Sequence, residues 1–319
     1  MRRIEPITID DVYAARERIA STVARTPLIR LHVDAPAELY LKLESLQAIG
    51  SFKLRGATNA IRLLSSTALA NAVYTASAGN MAQGVAWGAR SLGVACTVVM
   101  PDTAPRTKLD AVARLGASIV KLPYDEWWQT LENHGRVGID GTFIHPVADR
   151  GVMAGNGTIG LEIAEDLPDA TAVLVPFGGG GLVSGISTAV RRLIPGVQVF
   201  GCEVSTSTPL TAALAANEPV TVDRTPSFVD GIGGRGVLPE MWPIVRGLVE
   251  GALVAPIDEV AGAVRLLVER ARIVAEGAGA TAVAAGLALA RSRRLAGGKI
   301  VCVVSGGNID SHTLIQLLG

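Results

Sequence analysis

The sequence predicts an α/β fold in which helices cover a mostly parallel sheet. Short runs of β-branched residues alternate with longer stretches of helical periodicity, as expected for parallel strands that are joined by helices. The chain has 36 glycines and only 4% aromatic residues, and this composition suits close packing of helices on a sheet. With 319 residues the chain is longer than a domain with one hydrophobic core of ordinary size, so we expect two domains or one large α/β body.

The predicted elements follow one another along the whole chain. The predicted strands are 39–44, 72–76, 95–100, 117–122, 142–145, 171–176, 198–203 and 299–305. The predicted helices lie near 9–20, 53–65, 80–92, 106–115, 157–166, 181–193, 258–273, 279–291 and 310–318. Ligands of open α/β sheets bind at the carboxyl ends of the strands, so the glycine-containing loops after these strands are the first candidates for a site.

Charge and cysteine content exclude several classes of protein. Lys plus Arg and Asp plus Glu balance at 29 each, without the basic excess that is typical of nucleic-acid binding. No run of about 18 apolar residues lacks a charge or a Gly/Pro break, so we expect no membrane-spanning helix. Cys96, Cys202 and Cys302 are too far apart to indicate a disulfide framework or a zinc site. We expect a cytoplasmic protein that acts on a small molecule.

Lys53 is the first candidate for chemistry. It starts a predicted helix within the segment Gly-Ser-Phe-Lys-Leu-Arg-Gly-Ala (50–57). A cation at a helix N-terminus opposes the macrodipole, and a desolvated lysine with a lowered pKa is the usual amine nucleophile. An ordinary helix lysine whose amine reaches solvent fits this segment about equally well.

The loop after the second predicted strand is a candidate anion site. Residues 75–84 read Thr-Ala-Ser-Ala-Gly-Asn-Met-Ala-Gln-Gly and lead from a strand into a helix. The free N–H groups of such a helix start can bind a carboxylate. An ordinary loop capped by Ser77 or Asn80 is the alternative.

Four consecutive glycines, Gly178 to Gly181, form the strongest single feature. They follow a buried strand and precede a helix, where a glycine run costs chain entropy unless backbone N–H groups must approach a phosphate closely. The segment therefore predicts phosphate binding, with a merely tight turn as the alternative. No Gly-Lys-Ser/Thr follows, so it is not a Walker A loop.

Residues 231–236, Gly-Ile-Gly-Gly-Arg-Gly, match the dinucleotide fingerprint G-x-G-x-x-G. Pro226 and Asp230 precede them and Pro239 follows, so no strand and helix enclose the motif, and we reject NAD binding. Two further turns contain a polar residue beside glycines. They are Ser-Gly-Gly-Asn at 305–308, after the last predicted strand, and Glu-Gly-Ala-Gly at 276–279.

Taken in order, these segments resemble the fold-type II pyridoxal-phosphate enzymes, specifically the serine/threonine dehydratase and serine racemase group. The motifs that carry the resemblance are S-F-K-L-R-G-A, S-A-G-N, G-G-G-G-L and S-G-G-N, and the similarity extends from residue 26 to residue 308. It implies a three-layer α/β/α fold of two domains, each with a mostly parallel sheet. A large cofactor-binding domain would comprise 1–67 and 143–319, and a small substrate-closing domain 68–142.

The resemblance also implies roles for individual residues. Lys53 would carry pyridoxal 5'-phosphate as a Schiff base, Phe52 would pack beside the ring, and Ser305 would meet the pyridine nitrogen. The phosphate would be held by Gly178, Gly179, Gly180 and Gly181. Further cofactor contacts are expected from Asn80, at the 3-hydroxyl, and from Leu182, Gly231 and Glu276. The substrate would be bound by Ser77, Ala78, Gly79, Asn80, Met81 and Trp128.

The implied reaction is β-elimination from a 3-hydroxy amino acid such as L-threonine or L-serine, giving a 2-oxo acid and ammonia. Ser305 would offer the ring a neutral hydroxyl instead of a carboxylate, which favours prompt loss of the β-hydroxyl. Racemases of the group have a serine at the position of Ala78, which cannot transfer a proton, so dehydration is favoured over racemisation. β-Replacement uses the same lysine and stays open.

The resemblance further implies a homodimer. A divalent-cation site in many relatives begins at the position of Glu203, but Pro209 stands where a second acid is expected. A site so poor in carboxylates binds hard cations weakly, so we expect no metal.

The segment Tyr-Asp-Glu-Trp-Trp (124–128) is unusual in a chain so poor in aromatic residues. Trp128 lies near a position that contacts the substrate in the racemases of the group. We therefore expect Trp128 to shape a more apolar pocket for a β-hydroxy amino acid bulkier than serine. A tryptophan of the core or of an interface fits the segment about as well.

Overall fold

The structure is a computed structural model that describes residues 3–104 and 106–319. The strands are β1 (Leu28–Leu31), β2 (Glu38–Leu43), β3 (Val73–Ala76), β4 (Cys96–Pro101), β5 (Ser118–Leu122), β6 (Thr142–Phe143), β7 (Ala172–Pro176), β8 (Gln198–Val204), β9 (Gly251–Ala255) and β10 (Lys299–Val304). The helices are α1 (Ile9–Ile19), α2 (Lys53–Arg62), α3 (Ser66–Ala70), α4 (Asn80–Ser91), α5 (Arg106–Arg114), α6 (Tyr124–Glu132), α7 (Arg150–Asp166), α8 (Gly181–Leu193), α9 (Pro209–Ala216), α10 (Trp242–Leu248), α11 (Ile257–Leu266), α12 (Gly277–Arg291) and α13 (Ser311–Leu318).

The strands form two sheets. The six-stranded sheet has the order β1-β2-β10-β7-β8-β9, in which only the β1–β2 pair is antiparallel. The four-stranded sheet has the order β5-β4-β3-β6, and its pairs are all parallel. The predicted α/β class with two mostly parallel sheets is confirmed. The domain boundaries at 67/68 and 142/143 stay a prediction.

Helices cover both faces of the six-stranded sheet. Val301 and Val303 of β10 belong to the apolar core on the side of α7 and α8, whereas Ile300 and Cys302 belong to the core on the side of α12. Strands that are buried on both faces have near-continuous apolar sequences, as β7 and β10 do.

Glycines let α7 approach its neighbouring helices closely. A Cβ on Gly155 would lie 2.5 Å from the carbonyl oxygen of Arg55 in α2, and one on Gly185 of α8 would lie 2.4 Å from that of Met153. α7 therefore holds α2 and α8, which both begin at the predicted site. Its N-terminal half has glycines in place of a polar face, so the sequence predicted only 157–166.

The sequence prediction missed six of the described elements, which are β1, β9, α3, α6, α9 and α10. They span four to nine residues, and segments this short give only a weak periodic signal. The G-x-G-x-x-G motif lies in the irregular segment between α9 and α10, so among the described residues no strand leads into it and no helix begins at it, as the sequence predicted. Among the described helices, none is both long and apolar enough to cross a membrane.

Candidate active site

A cavity of about 300 Å³ brings together the predicted motifs at the carboxyl ends of strands from both sheets. Its walls include every predicted cofactor residue and all but one of the predicted substrate residues. These are Phe52, Lys53, Ser77, Ala78, Gly79, Asn80, Met81, Gly178, Gly179, Gly180, Gly181, Leu182, Gly231, Glu276 and Ser305. Segments up to about 250 residues apart thus meet at one place. For the segments that follow β7 and β10, this agrees with their neighbouring positions in the six-stranded sheet.

Lys53 is the first residue of α2, and its amine lies in this cavity. Its Nζ donates a hydrogen bond to the carbonyl oxygen of Pro146 at 2.8 Å and lies 5.1 Å from the centroid of the Phe52 ring. Burial lowers the pKa of the Lys53 amine to about 8, although the negative charge of Glu276 opposes this shift. About one tenth of such amines are neutral at pH 7. Lys53 can therefore act as a base or nucleophile near neutral pH.

A buried ionic network fixes the start of α2. The guanidinium of Arg55 binds Glu44 at 2.8 Å and Glu162 at 2.6 Å, and Lys42 reaches Glu162 at 2.6 Å. These four side chains are nearly inaccessible to solvent, and their charges balance, as a buried ionic cluster requires. The network ties α2 to β2 and α7, two residues beyond Lys53.

Asn80 and Glu276 form a polar pair across the cavity. The Nδ2 group of Asn80 donates to Oε1 of Glu276 at 2.7 Å, and its Oδ1 accepts from Nδ2 of Asn308 at 2.8 Å. Burial, together with the charge of Asp230, raises the pKa of Glu276 to about 7, although the hydrogen bond from Asn80 opposes this shift. Glu276 can therefore carry or release a proton near neutral pH.

The four glycines form the turn from β7 into α8. Gly180 is the N-cap of α8 with φ +98°, a conformation that favours glycine. A Cβ on Gly179 would lie 2.7 Å from Cγ2 of Val147, so no side chain fits there. The first N–H groups of α8 have no partner within the helix, and the positive end of the helix dipole lies beside them. This turn suits a phosphate group.

The loop that precedes α4 presents a second helix start to the cavity. Oγ of Ser77 accepts a hydrogen bond from the N–H of Gly79 at 3.2 Å, and Gly79 is the N-cap of α4. A Cβ on Gly79 would meet no neighbour within 4 Å, so space remains beside the loop. Its backbone N–H groups suit a carboxylate.

Ser305 follows β10 and is buried at the cavity wall. Its carbonyl oxygen accepts from the N–H of Phe52 at 3.0 Å, while Ser51 and Gly306 form an antiparallel bridge. The last strand therefore holds the segment that contains Lys53, and it places the hydroxyl-bearing residue at the same wall.

The two adjacent tryptophans of α6 lie in different places. Trp127 lines the cavity, and in the part of the chain that the structure describes Trp128 is not among its lining residues. The indole Nε1 of Trp128 donates to Glu132 at 2.8 Å, one helical turn away. The side chain packs with the small apolar cluster that contains Tyr74 and Leu131. The role of Trp128 in shaping the pocket stays a prediction, and no cavity contact of this side chain occurs among the residues that the structure describes.

Several cavity residues were not anticipated from the sequence. Lys108 of α5 and Asp230 form an ion pair at the cavity with Nζ 2.5 Å from Oδ2, and Pro146 and Val147 complete the wall beside Lys53. Asp230 adjoins Gly231 and could have been found by that neighbourhood. Nothing in the local sequence marks Lys108.

Glu203, which the resemblance compares with the start of a divalent-cation site, accepts hydrogen bonds from backbone and hydroxyl groups. Its carboxylate accepts from the N–H groups of Leu210 and Thr211 at 2.6 and 2.9 Å and from the Thr211 hydroxyl at 2.7 Å. Burial raises the pKa of this carboxyl. The Glu203 carboxylate thus accepts hydrogen bonds from N–H groups in the first turn of α9.

The cavity fits pyridoxal 5'-phosphate. It offers an amine whose pKa is lowered, a glycine turn that excludes side chains and exposes N–H groups, and the hydroxyl and amide of Ser305 and Asn80. These groups match an aldehyde, a phosphate and a polar heteroaromatic ring, respectively.

Comparison with known proteins agrees with this site. The chain is 39% identical over 318 residues to an L-threonine ammonia-lyase of Thermotoga maritima, covering 98% of this chain and 78% of that protein. It is 36% identical over 326 residues to the catabolic L-threonine dehydratase of Escherichia coli, covering 98% and 97%. The structure of maize serine racemase superposes with a TM-score of 0.89 at 30% identity, covering 98% and 97%. Residues 19–306 match the model of a protein family described as "Pyridoxal-phosphate dependent enzyme", and the chain therefore belongs to this family.

Proposed function

We propose that this protein uses pyridoxal 5'-phosphate to eliminate water from a 3-hydroxy amino acid, such as L-threonine or L-serine, with release of a 2-oxo acid and ammonia. The observation that carries the proposal is the Lys53 amine, with its lowered pKa, in one cavity with the glycine turn and Ser305. Relatives named as L-threonine ammonia-lyases or dehydratases are 35% to 41% identical to this chain, which supports this substrate class.

The cofactor would be held by the residues that line the cavity. Backbone N–H groups from Gly178 to Leu182 would bind its phosphate, Ser305 would face the ring nitrogen, and Asn80 would bind the ring hydroxyl. When bound, the cofactor supplies an aldehyde for the substrate amine and a ring that withdraws electrons from Cα.

The chain's own groups would bind the substrate and move its protons. N–H groups of residues 77–81 would hold the substrate carboxylate, and Lys53, displaced by the substrate amine, would take the Cα proton. Its pKa of about 8 lets a useful fraction of the amine be neutral at working pH. The Pro146 carbonyl orients that amine, and Ser305 offers a neutral hydroxyl in place of a carboxylate.

Racemisation is the second candidate, because the structures of serine racemases superpose closely on this one. It requires a group that returns a proton to the face of Cα opposite Lys53. Ala78 lines the cavity and has no proton to give. We therefore expect elimination to dominate.

The proposal includes a homodimer in the cytoplasm in which residues 68–142 close on the substrate. The three cysteines are free and buried, which suits a reducing compartment. Sedimentation of the purified protein tests the dimer, and a monomer at micromolar concentration would contradict it.

The test is 2-oxo acid release from a panel of L-threonine, L-serine and 3-phenylserine. The protein loaded with cofactor should form 2-oxo acid and ammonia in equal amounts, and Lys53→Ala should abolish both. Lys121→Ala, which changes an exposed lysine of β5, is the matched control and should match the wild type. Absence of 2-oxo acid from every substrate, or full activity of Lys53→Ala, would refute the proposal. Chiral analysis of recovered serine measures the racemase alternative.

A further inference from the structure

His145 lies in the short connection between β6 and α7 and is only 3% exposed. Its Nδ1 accepts hydrogen bonds from two backbone N–H groups, those of Val147 at 3.0 Å and Ala148 at 2.7 Å. A ring nitrogen that accepts hydrogen bonds carries no proton. The imidazole is therefore neutral, with its proton on Nε2.

The turn that His145 shapes contacts two parts of the cofactor site. The carbonyl oxygen of Pro146 accepts from Nζ of Lys53 at 2.8 Å. The next residue, Val147, packs against the glycine turn, where its Cγ2 would lie 2.7 Å from a Cβ on Gly179. A displacement of residues 146–148 would therefore move both the acceptor of the lysine amine and the wall behind the phosphate-binding turn.

We propose that His145 is a positioning residue of the cofactor site. Its unprotonated Nδ1 folds the 146–148 turn, and this turn orients the Lys53 amine and supports the glycine turn. The inference rests on the proposed function only in taking Lys53 as the amine that binds the cofactor.

Neighbouring side chains hold the imidazole in this orientation. The His134 ring stacks on it with centroids 4.4 Å apart, and Nε2 of His134 lies 3.1 Å from Oε1 of Glu240. The ligand atoms of these three side chains lie within 4.8 Å of one another, as in metal sites. With Nδ1 accepting, however, the proton resides on Nε2, which leaves that atom no lone pair for a metal ion.

The first test measures the tautomer in the wild-type protein. The chain contains four histidines, so selective ¹⁵N labelling gives a spectrum that can be assigned by the loss of one set of signals in His145→Asn. We expect the Nδ1 of His145 to be unprotonated and its Nε2 to carry the proton. A proton on Nδ1, in either the other tautomer or the cation, would overturn the proposal.

The second test separates the two ring nitrogens by substitution. The Oδ1 atom of asparagine takes the place of Nδ1, whereas the amide of glutamine extends toward the position of Nε2. Titration of the apoproteins with pyridoxal 5'-phosphate, followed by absorbance, should show affinity weakened about tenfold or more in His145→Gln, because small displacements of positioned groups have large effects. His145→Asn should restore most of that affinity.

Equal affinities of the two variants, or better binding by His145→Gln, would contradict the proposal. His312→Asn, at an exposed histidine of α13, is the matched control. If His145→Gln does not fold, the tautomer of the wild-type protein decides the matter. Because both readouts are independent of turnover, a protein that binds cofactor but forms no 2-oxo acid would refute the proposed function and leave this inference standing.

Discussion

Replacing Glu276 with glutamine should change how the stability of the apoprotein depends on pH. Burial raises the pKa of Glu276 to about 7 from its ordinary value of 4.5. Between these values the folded protein keeps a proton that the unfolded chain releases. The wild type therefore loses stability as pH rises from 4.5 to 7, and a glutamine, which does not titrate, removes that loss.

The size of the effect follows from the difference between the two pKa values. A shift from 4.5 to about 7 corresponds to about 3 kcal/mol, of which about 2.5 kcal/mol falls between pH 5 and pH 8. The glutamine Oε1 can still accept the hydrogen bond of Asn80, so the polar contact is kept. Loss of the negative charge should also move the pKa of Lys53 below about 8.

The assay is urea unfolding of the apoproteins, followed by circular dichroism at pH 5, 6, 7 and 8. Relative to wild type, Glu276→Gln should gain about 2.5 kcal/mol of unfolding free energy across this range. Glu218→Gln, at an exposed glutamate, should follow the wild-type profile. A difference between Glu276→Gln and wild type that stays constant from pH 5 to pH 8 would refute the reasoning.

Three further changes test other parts of the site. Gly179→Ala puts a methyl group 2.7 Å from a valine carbon and should weaken cofactor binding about tenfold in an absorbance titration. The control is Gly262→Ala, at an open position of α11, which should leave cofactor binding unchanged and raise the unfolding free energy by up to about 1 kcal/mol. Equal cofactor affinities of Gly179→Ala and Gly262→Ala would contradict the close fit of the glycine turn. Arg55→Met leaves two buried carboxylates without their guanidinium and should lower the unfolding free energy by about 3 to 5 kcal/mol in urea, and a loss below about 1 kcal/mol would show that the network contributes little. Trp127→Ala should raise the ratio of kcat/KM for 3-phenylserine to kcat/KM for threonine by about tenfold. The same substitution at Trp128 shows which of the two indoles affects this ratio. An unchanged ratio in Trp127→Ala would exclude the Trp127 indole from the pocket wall.

The glycine-containing motifs were predictable from the sequence because topology brings them together. The carboxyl ends of parallel strands meet at one edge of a sheet. Correct strand assignments were therefore enough to place Ser305 and the turn at 178–181 at the same edge. The Asn80 loop belongs to the other sheet, and its place in the site followed from the family resemblance.

Contacts that depend on side-chain direction were less predictable. One step along α6 rotates a side chain by about 100°. Both tryptophans pack on the cluster that contains Tyr74 and Leu131, but of these two side chains only Trp127 lines the cavity in the described part of the chain. Arg55 pairs with a carboxylate 107 residues away, a distance over which no periodicity selects the partner. The hydrogen bonds of His145 depend on the path of an irregular turn.

The position of β10 in its sheet has a consequence for folding during synthesis. β10 lies between β2 and β7, so strands made early in translation cannot complete their pairing until residues 299–304 have been added. The four-stranded sheet needs nothing beyond Phe143. The nascent chain therefore has β2 without a parallel partner for most of its synthesis. During this time the unpaired edge of β2 is available to chaperones that bind exposed strand edges.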